Sequence, residues 1–307
     1  MIRFESFGKT YGRTCAVLDL TLAVERGEAV ALLGPNGSGK TTSLKAAAGL
    51  IRPTSGRVFV GSPRRPAGEP EARRAISYLP QKASFPESLT GREVVEFYGR
   101  LRGADPARVP EALHFASLNG ASNRAVSTYS GGMLQRLGLA VAVLPEAPVL
   151  LLDEPTAALD PDGLCAFYGL VERRRRAGQT LLFTSHHLGD VERLADRFAL
   201  LVEGRLAASL TQGELSERLS ARGALRLRLN RRPQDLLEKV RQVAPASTWA
   251  GEELVVPGPA ADRPRVLDLV RAEGLEVRGL TAEEGRLDVL YRELVGGTDN
   301  GRLRTED

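Results

Sequence analysis

Lysine is nearly missing from this sequence of 307 residues, with five against 37 arginines. A lysine that persists therefore asks for a reason other than its charge. Aromatic residues are also few, 5% of the chain with a single tryptophan, Trp249. A nucleic-acid-binding sheet needs several stacking aromatics on its strands, so that class is disfavoured. The two cysteines, Cys15 and Cys165, lie far apart and in no metal-ligand spacing. They read as reduced thiols rather than a disulfide or a metal site. No run of about 18 apolar residues occurs, which excludes a membrane-spanning helix. The opening MIRFESFGKTYG has no apolar signal core, so the expectation is a cytoplasmic protein. Net charge is only +4 and the two signs are interspersed, which is not the field of a nucleic-acid binder. The run ERRRRAG (172–178) reads as the solvated end of a helix, where cations suit the dipole. No N-K-x-D stretch is present, which disfavours a GTPase. The length suits one large or two unequal domains.

What is present gathers around one lysine. In LLGPNGSGKTT (32–42), Gly34, Gly39, Lys40 and Thr41 satisfy G-x-x-x-x-G-K-[ST], the phosphate-binding loop. Gly34, Gly37 and Gly39 free the backbone to turn its N–H groups inward as an anion nest. Lys40 is a slim ammonium that reaches the β- and γ-phosphates, where a guanidinium fork needs more room. Thr41 offers a hydroxyl to Mg²⁺. The apolar AVALL (29–33) before the loop reads as a buried parallel strand. TTSLKAAAGL (41–50) reads as a helix with Gly49 as its stop. Strand, loop and helix start therefore come in the order that favours phosphate at a helix N-terminus.

A second element completes such a site. APVLLLDEPT (147–156) is an apolar strand ending in two acids. Asp153 at the strand end suits Mg²⁺. Strand alternation would turn Glu154 the other way, toward a water at the γ-phosphate, the place of a general base. Three further features are weak singly. YSGGMLQRLGLAVAVL (129–144) begins an amphipathic helix with Ser130, Gly131 and Gly132, a further anion site. ISYLPQKASF (76–85) places Gln81 just after a short strand, and TLLFTSHHL (180–188) ends a strand in a histidine pair.

In this order, over residues 2 to about 210, the motifs resemble those of the ATP-binding subunits of ABC transporters. The correspondences are the phosphate loop GPNGSGKTT, the Q-loop YLPQ, the signature YSGGM, Walker B VLLLDEPT, the D-loop AALD and the switch histidine of TSHHL. The resemblance implies an α/β fold. A P-loop NTPase cassette with a RecA-like core and an α-helical subdomain would fill residues 1–215, the helical part spanning about 85–145. It also implies the ligands, ATP and Mg²⁺. By resemblance, Tyr11 stacks on adenine. Gly34, Pro35, Asn36, Gly37, Ser38, Gly39, Lys40, Thr41 and Thr42 hold the nucleotide. Thr41, Gln81 and Asp153 attend the magnesium. Glu154, His186 and Gln81 form the catalytic group, with His187 a neighbour without a nucleotide role. Ser130, Gly131 and Gly132 bind the γ-phosphate of ATP held by the opposite subunit, and Asp160 is the D-loop acid of the dimer interface. The implied partners are a second copy, head to tail across ATP, a polytopic transmembrane permease and a periplasmic accessory protein, with no nucleic acid. The implied location is cytoplasmic, on the inner face of the membrane through the permease.

The sequence departs from the family's Leu-Ser-Gly-Gly-Gln signature at Tyr129 and Met133. Met133 cannot make a glutamine's hydrogen bonds, which puts ribose or dimer contacts in question. Between Gln81 and Ser130, LTGREVVEFYGRLRG (89–103) and RVPEALHFASLNG (108–120) have helical spacing. Phe85, Phe97 and Tyr98 fit either a core or a groove for a helix of the membrane subunit, with Phe85 the better candidate for exposure. Residues 216–307 read as a separate small α+β domain. ALRLRLN (224–230), QDLLEKVRQV (234–243), STWAG with ELVVPG, RPRVLDLVRAEG (263–274) and LEVRGLT (275–281) give βαββαβ, a ferredoxin-like order, followed by a helix at RLDVLYREL (286–294). No phosphate loop occurs there, so a regulatory or dimer-supporting role is expected.

Three functions fit these readings. One powers a membrane transporter, and the flanks of the Q-loop and signature are similar to ATPases of nitrous-oxide-reductase maturation, linked to copper-site assembly. Another is multidrug or general efflux. A third is a soluble ABC ATPase acting on nucleic acid or ribosomes, disfavoured because the chain carries one cassette and no long coiled coil.

Overall fold

The computed structural model describes residues 1–157, 159–185, 188–233 and 235–283. Contacts divide the chain into two compact units, Met1–Ser209 and a second from Leu210. The division falls six residues ahead of the 215/216 boundary read from the sequence.

The first unit runs β1 (Ile2–Tyr11), β2 (Thr14–Val24), β3 (Ala29–Leu33), α1 (Lys40–Ala47), β4 (Ser55–Val60), β5 (Arg65–Pro66), α2 (Pro70–Arg74), β6 (Ile76–Leu79), α3 (Gly91–Arg102), α4 (Val109–Phe115), α5 (Gly131–Val143), β7 (Val149–Asp153), α6 (Pro161–Arg176), β8 (Thr180–Thr184), α7 (Leu188–Leu194), β9 (Arg197–Val202) and β10 (Arg205–Thr211). One sheet has the order β10-β9-β3-β8-β7-β6. β3 lies parallel to β8 and β9, and β7 parallel to β6 and β8. Every residue of β3, β7 and β8 is buried. Strands covered on both faces need apolar side chains throughout, which is why AVALL, VLLLD and TLLFT lack an alternating pattern. The carboxyl ends of these three adjacent strands carry the phosphate loop, Asp153 and Thr184. Open α/β sheets bind ligands at such an edge.

A smaller sheet, β2-β1-β4-β5, packs across the first. Phe4 and Phe7 of β1 share one core with Leu44 of α1 and Leu32, Leu151 and Leu182 of the central strands. α3, α4 and α5 enclose a core of their own around Val94, Val95, Leu113 and Leu137. α3 opens on a reciprocal cap between Thr90 and Glu93 and ends at Gly103 in the left-handed conformation. α4 stops at Phe115, five residues short of the helical stretch expected there. The aromatic expectation is reversed. Phe85 is half-buried against this core and meets Tyr98 edge-on at 5.8 Å, while Phe97 is 51% exposed. The reason is helical period: residues 91, 94, 95, 98 and 99 line the inner face of α3, and Phe97 falls outside it.

The arginine run at the end of α6 is also not uniformly solvated. Arg174 and Arg175 are half-buried; Arg174 donates to Val143 O and pairs with Glu146, and Arg175 pairs with Asp196. Only Arg173 and Arg176 follow the solvated reading.

The second unit contains α8 (Gln212–Ser220), β11 (Ala224–Leu229), α9 (Leu236–Val243), β12 (Thr248–Ala250), β13 (Glu253–Pro257), α10 (Arg263–Ala272) and β14 (Val277–Glu283). Its sheet order is β12-β13-β11-β14 with antiparallel neighbours, the split βαβ arrangement. Leu225 and Leu227 face a core shared with Leu236, Val240, Val266 and Val270. The alternate residues of β11 are Arg226 and Arg228, which meet Glu253 and Glu283 on the flanking strands. The arginine-rich strand thus forms cross-strand ion pairs, each worth little at an exposed surface. The helix expected at 286–294 lies outside the described residues.

Candidate nucleotide site

The loop between β3 and α1 has the backbone its glycines were expected to supply. Gly34, Gly37 and Gly39 have φ of 141°, 84° and 99°, values that L side chains resist. A Cβ at Gly34 would stand 2.1 Å from Leu201 O, and one at Gly39 would stand 2.6 Å from Ala16 O. Pro35, Asn36 and Gly37 are exposed, Thr41 and Thr42 half-buried, and Ser38 and Lys40 buried. Lys40 Nζ donates to Gly34 O at 2.7 Å and Pro35 O at 2.9 Å. Burial holds its pKa below the ordinary lysine value, offset in part by Glu154 and Asp153. The lysine is folded against its own loop, with two acids near enough to favour its charge.

Asp153 ends β7 almost wholly enclosed. Its Oδ1 accepts from Thr184 Oγ1 at 2.7 Å, whereas Oδ2 is buried and makes no hydrogen bond among the described residues. Glu154 does not continue the strand, so strand alternation does not set its direction. β7 stops at Asp153, and Glu154 sits at φ 54°, in the left-handed region. Such a conformation costs a non-glycine residue on the order of 1–3 kcal/mol and persists where neighbours enforce it. Here Glu154 N–H donates to Thr184 Oγ1 at 2.9 Å, and its Oε1 accepts from Gln81 Nε2 at 3.2 Å. Lys40, Asp153, Glu154 and Gln81 are thereby brought together. Tyr11 is 48% exposed with Lys9 Nζ 5.0 Å above its ring. His186 and His187 lie outside the described residues.

The signature segment opens α5 and packs on the helical core. Ser130 and Gly131 are exposed and Gly132 half-buried, and Ser130 Oγ caps α5 by accepting from Met133 N–H at 3.3 Å. Ser130 makes no hydrogen bond to Lys40, Asp153 or Glu154 among the described residues. The Met133 side chain packs against the helical core, so this position is filled by packing rather than polar contact. Tyr129 is buried and donates to Ala121 O at 2.8 Å. A Cβ on Gly91 would stand 2.2 Å from that phenol oxygen. Gly91→Ala should therefore destabilise the chain by about 1–3 kcal/mol through overpacking. In a Tyr129→Leu background the same change should stabilise by up to ~1 kcal/mol, because alanine is the better helix former. Thermal melts of the four chains check this reversal of sign. Asp160 caps α6 by accepting from Gly163 N–H at 2.8 Å.

Two polar centres were absent from the sequence reading. Thr184 is one. The other is Asp190, 4% exposed, which accepts from Thr156 Oγ1, Ser185 Oγ and Tyr168 OH. Burial and then the bond to Asp190 push the Tyr168 phenol up to about 12. The one visible signal was a strand ending in two hydroxyls, Thr184 and Ser185, near a strand ending in acids.

The donor set suits magnesium with a nucleotide. Among the described residues no group of three or more His, Cys, Asp and Glu side chains could hold a metal by itself. Mg²⁺ characteristically takes one or two carboxylates and completes its shell with waters and substrate phosphates. Asp153 Oδ2 is such a carboxylate oxygen, next to a loop shaped for phosphate.

A glycine cradle, a buried lysine and two acids at the carboxyl edge of a parallel sheet define a P-loop nucleotide hydrolase. The family model described as ABC transporter matches residues 17–157. The chain is 34% identical over 306 residues to the daunorubicin resistance ATP-binding protein DrrA3 of Streptomyces coeruleorubidus, covering 96% of this chain and 95% of that one. It is 28% identical over 308 residues to the linearmycin resistance ATP-binding protein LnrL of Bacillus subtilis (strain 168), covering 97% and 99%. A dimeric post-hydrolysis structure of the ATP-binding cassette MJ0796 with ADP and Pi superposes with a TM-score of 0.64, at 27% identity over 69% of this chain and 99% of that one. The chain belongs to the ABC transporter family, as an ATP-binding subunit that couples ATP hydrolysis to transport. No helix among the described residues is long and apolar enough to cross a membrane.

Proposed function

We propose that this chain powers an exporter of drug-like small molecules. The observation that carries the reading is the reach of the likeness to the two resistance proteins. It runs past the ATP motifs and through the C-terminal unit, whereas ATP chemistry alone would account only for the cassette. The similarity to nitrous-oxide-reductase maturation ATPases gains no support from the relatives compared, and copper is not carried forward.

In this reading the phosphate loop from Gly34 to Thr42 holds ATP, with the Tyr11 ring against adenine. Mg²⁺ would be held by Asp153 and the Thr41 hydroxyl, with Gln81 beside it, and supplies charge neutralisation at the phosphates. Glu154 takes the proton of the attacking water. Two copies meet head to tail, and Ser130, Gly131 and Gly132 of each complete the other's ATP site. Asp160 lies at that interface, and His186 keeps the γ-phosphate role implied by resemblance. The dimer sits on the inner face of the membrane through a polytopic permease.

Cells expressing the chain with the polytopic protein that co-purifies with it should clear daunorubicin several-fold faster than cells expressing Glu154→Gln. Fluorescence of retained drug measures this. Equal retention, with rescue of nitrous oxide reductase copper loading instead, would overturn the efflux reading. The C-terminal unit is proposed to tune the dimer. A chain ended after Thr211 should keep ATP binding and change its basal rate or dimerisation. Loss of ATP binding by that chain, if folded, would contradict the assignment.

A further inference from the structure

We infer that Thr184 is a positioning residue for hydrolysis, whose one hydroxyl orients the magnesium-site acid and holds the general base in its strained backbone. The inference rests on the reading of Asp153 and Glu154 given above. Thr184 is fully buried at the end of β8, the strand between β3 and β7. In the parallel register it stands opposite Leu32 on one side and Asp153 on the other. Registered residues of parallel strands point to the same face, so the hydroxyl is delivered directly beside the carboxylate.

A threonine hydroxyl has one proton and two lone pairs, and this one is used in both directions. The proton goes to Asp153 Oδ1 and a lone pair accepts Glu154 N–H. Occupying Oδ1 fixes the carboxylate plane and presents Oδ2, the buried oxygen without a partner among the described residues, as the ligand atom. Accepting Glu154 N–H ties down the first residue after the strand, the one whose φ of 54° it would otherwise tend to relax. The metal ligand and the base are consecutive residues with different backbone conformations. A single atom of a third strand sets the position of both. Ser185, the next residue, turns its hydroxyl to Asp190 instead. The two hydroxyls at this strand end thus serve different parts of the fold.

Partners that orient a metal ligand typically contribute about 10- to 100-fold in metal affinity or activity. Thr184→Val keeps shape and burial but loses the hydroxyl; Thr184→Ser keeps the hydroxyl. In the full-length chain, Thr184→Val should bind a fluorescent ATP analogue in excess EDTA as the parent does. Its Mg²⁺ midpoint for tightening that binding should rise about 10-fold or more, with the affinity for MgATP falling in step, and kcat should fall about 10- to 100-fold. Thr184→Ser should restore both. Parent-like midpoint and kcat in Thr184→Val would overturn the inference. So would Thr184→Ser failing as badly as Thr184→Val, since packing and not the hydroxyl would then matter. If Thr184→Val does not fold by circular dichroism, Thr184→Ala against Thr184→Ser decides on the same readouts. Asp153→Asn separates the two levels of the argument. A shifted midpoint in Asp153→Asn with none in Thr184→Val removes Thr184 alone. An unshifted midpoint in Asp153→Asn removes the magnesium reading and this inference with it.

Discussion

Glu154→Gln is expected to bind MgATP like the parent and to hydrolyse it about 10²- to 10⁴-fold more slowly, the usual cost of losing a general base. The amide nearly matches the carboxylate in shape. The backbone bond to Thr184 does not involve the side chain, and Gln81 can still donate to the amide oxygen. The left-handed turn and the position of the side chain should therefore survive, and only proton acceptance is lost. Phosphate release under saturating MgATP, with nucleotide binding measured on the same sample, checks the separation. Hydrolysis at the parent rate would remove Glu154 from the chemistry.

Lys40→Arg should lower kcat/KM about 10²- to 10³-fold although the charge is kept, a loss comparable to removing one preorganised donor from a charged transition state. Lys40 is 6% exposed, and its ammonium fits between the carbonyls of Gly34 and Pro35. The loop around it cannot expand freely, because any swelling at Gly34 meets Leu201 O. A guanidinium is broader and planar, and must displace either the loop or the phosphate. This is why one of five lysines persists in a chain that otherwise uses arginine. Steady-state kinetics with a thermal melt decide the matter: equal kinetics would reduce Lys40 to a point charge.

Buried parallel strands announce themselves as apolar runs, so β3, β7 and β8 were readable, and with them the places where the phosphate loop and Asp153 begin. The glycines of that loop were readable because their role is conformational and local. Relations across strands were not. Thr184 meets Asp153 through a register that joins residues 31 apart, and nothing in TLLFTS states it. Glu154 carries no local mark of its left-handed turn, so the strand alternation invoked for it does not apply. Arg174 was read by its neighbours in sequence, while its surroundings are set by Glu146 and Val143. Phe97 could have been read correctly, since the period of α3 through Val94 and Val95 already leaves it outside. Tyr129 and Gly91 form a matched pair whose logic appears only when the signature segment packs on α3.

The head-to-tail composite site is tested most directly by the mass of Glu154→Gln in solution, measured by light scattering after gel filtration in MgATP and again in MgADP. The single chain is 33.1 kDa. The account predicts a species of about twice that mass in MgATP, where hydrolysis cannot reopen the dimer, and a smaller or mixed species in MgADP. A chain that binds MgATP and still elutes as a monomer would contradict it, and would turn suspicion to the signature segment around Met133.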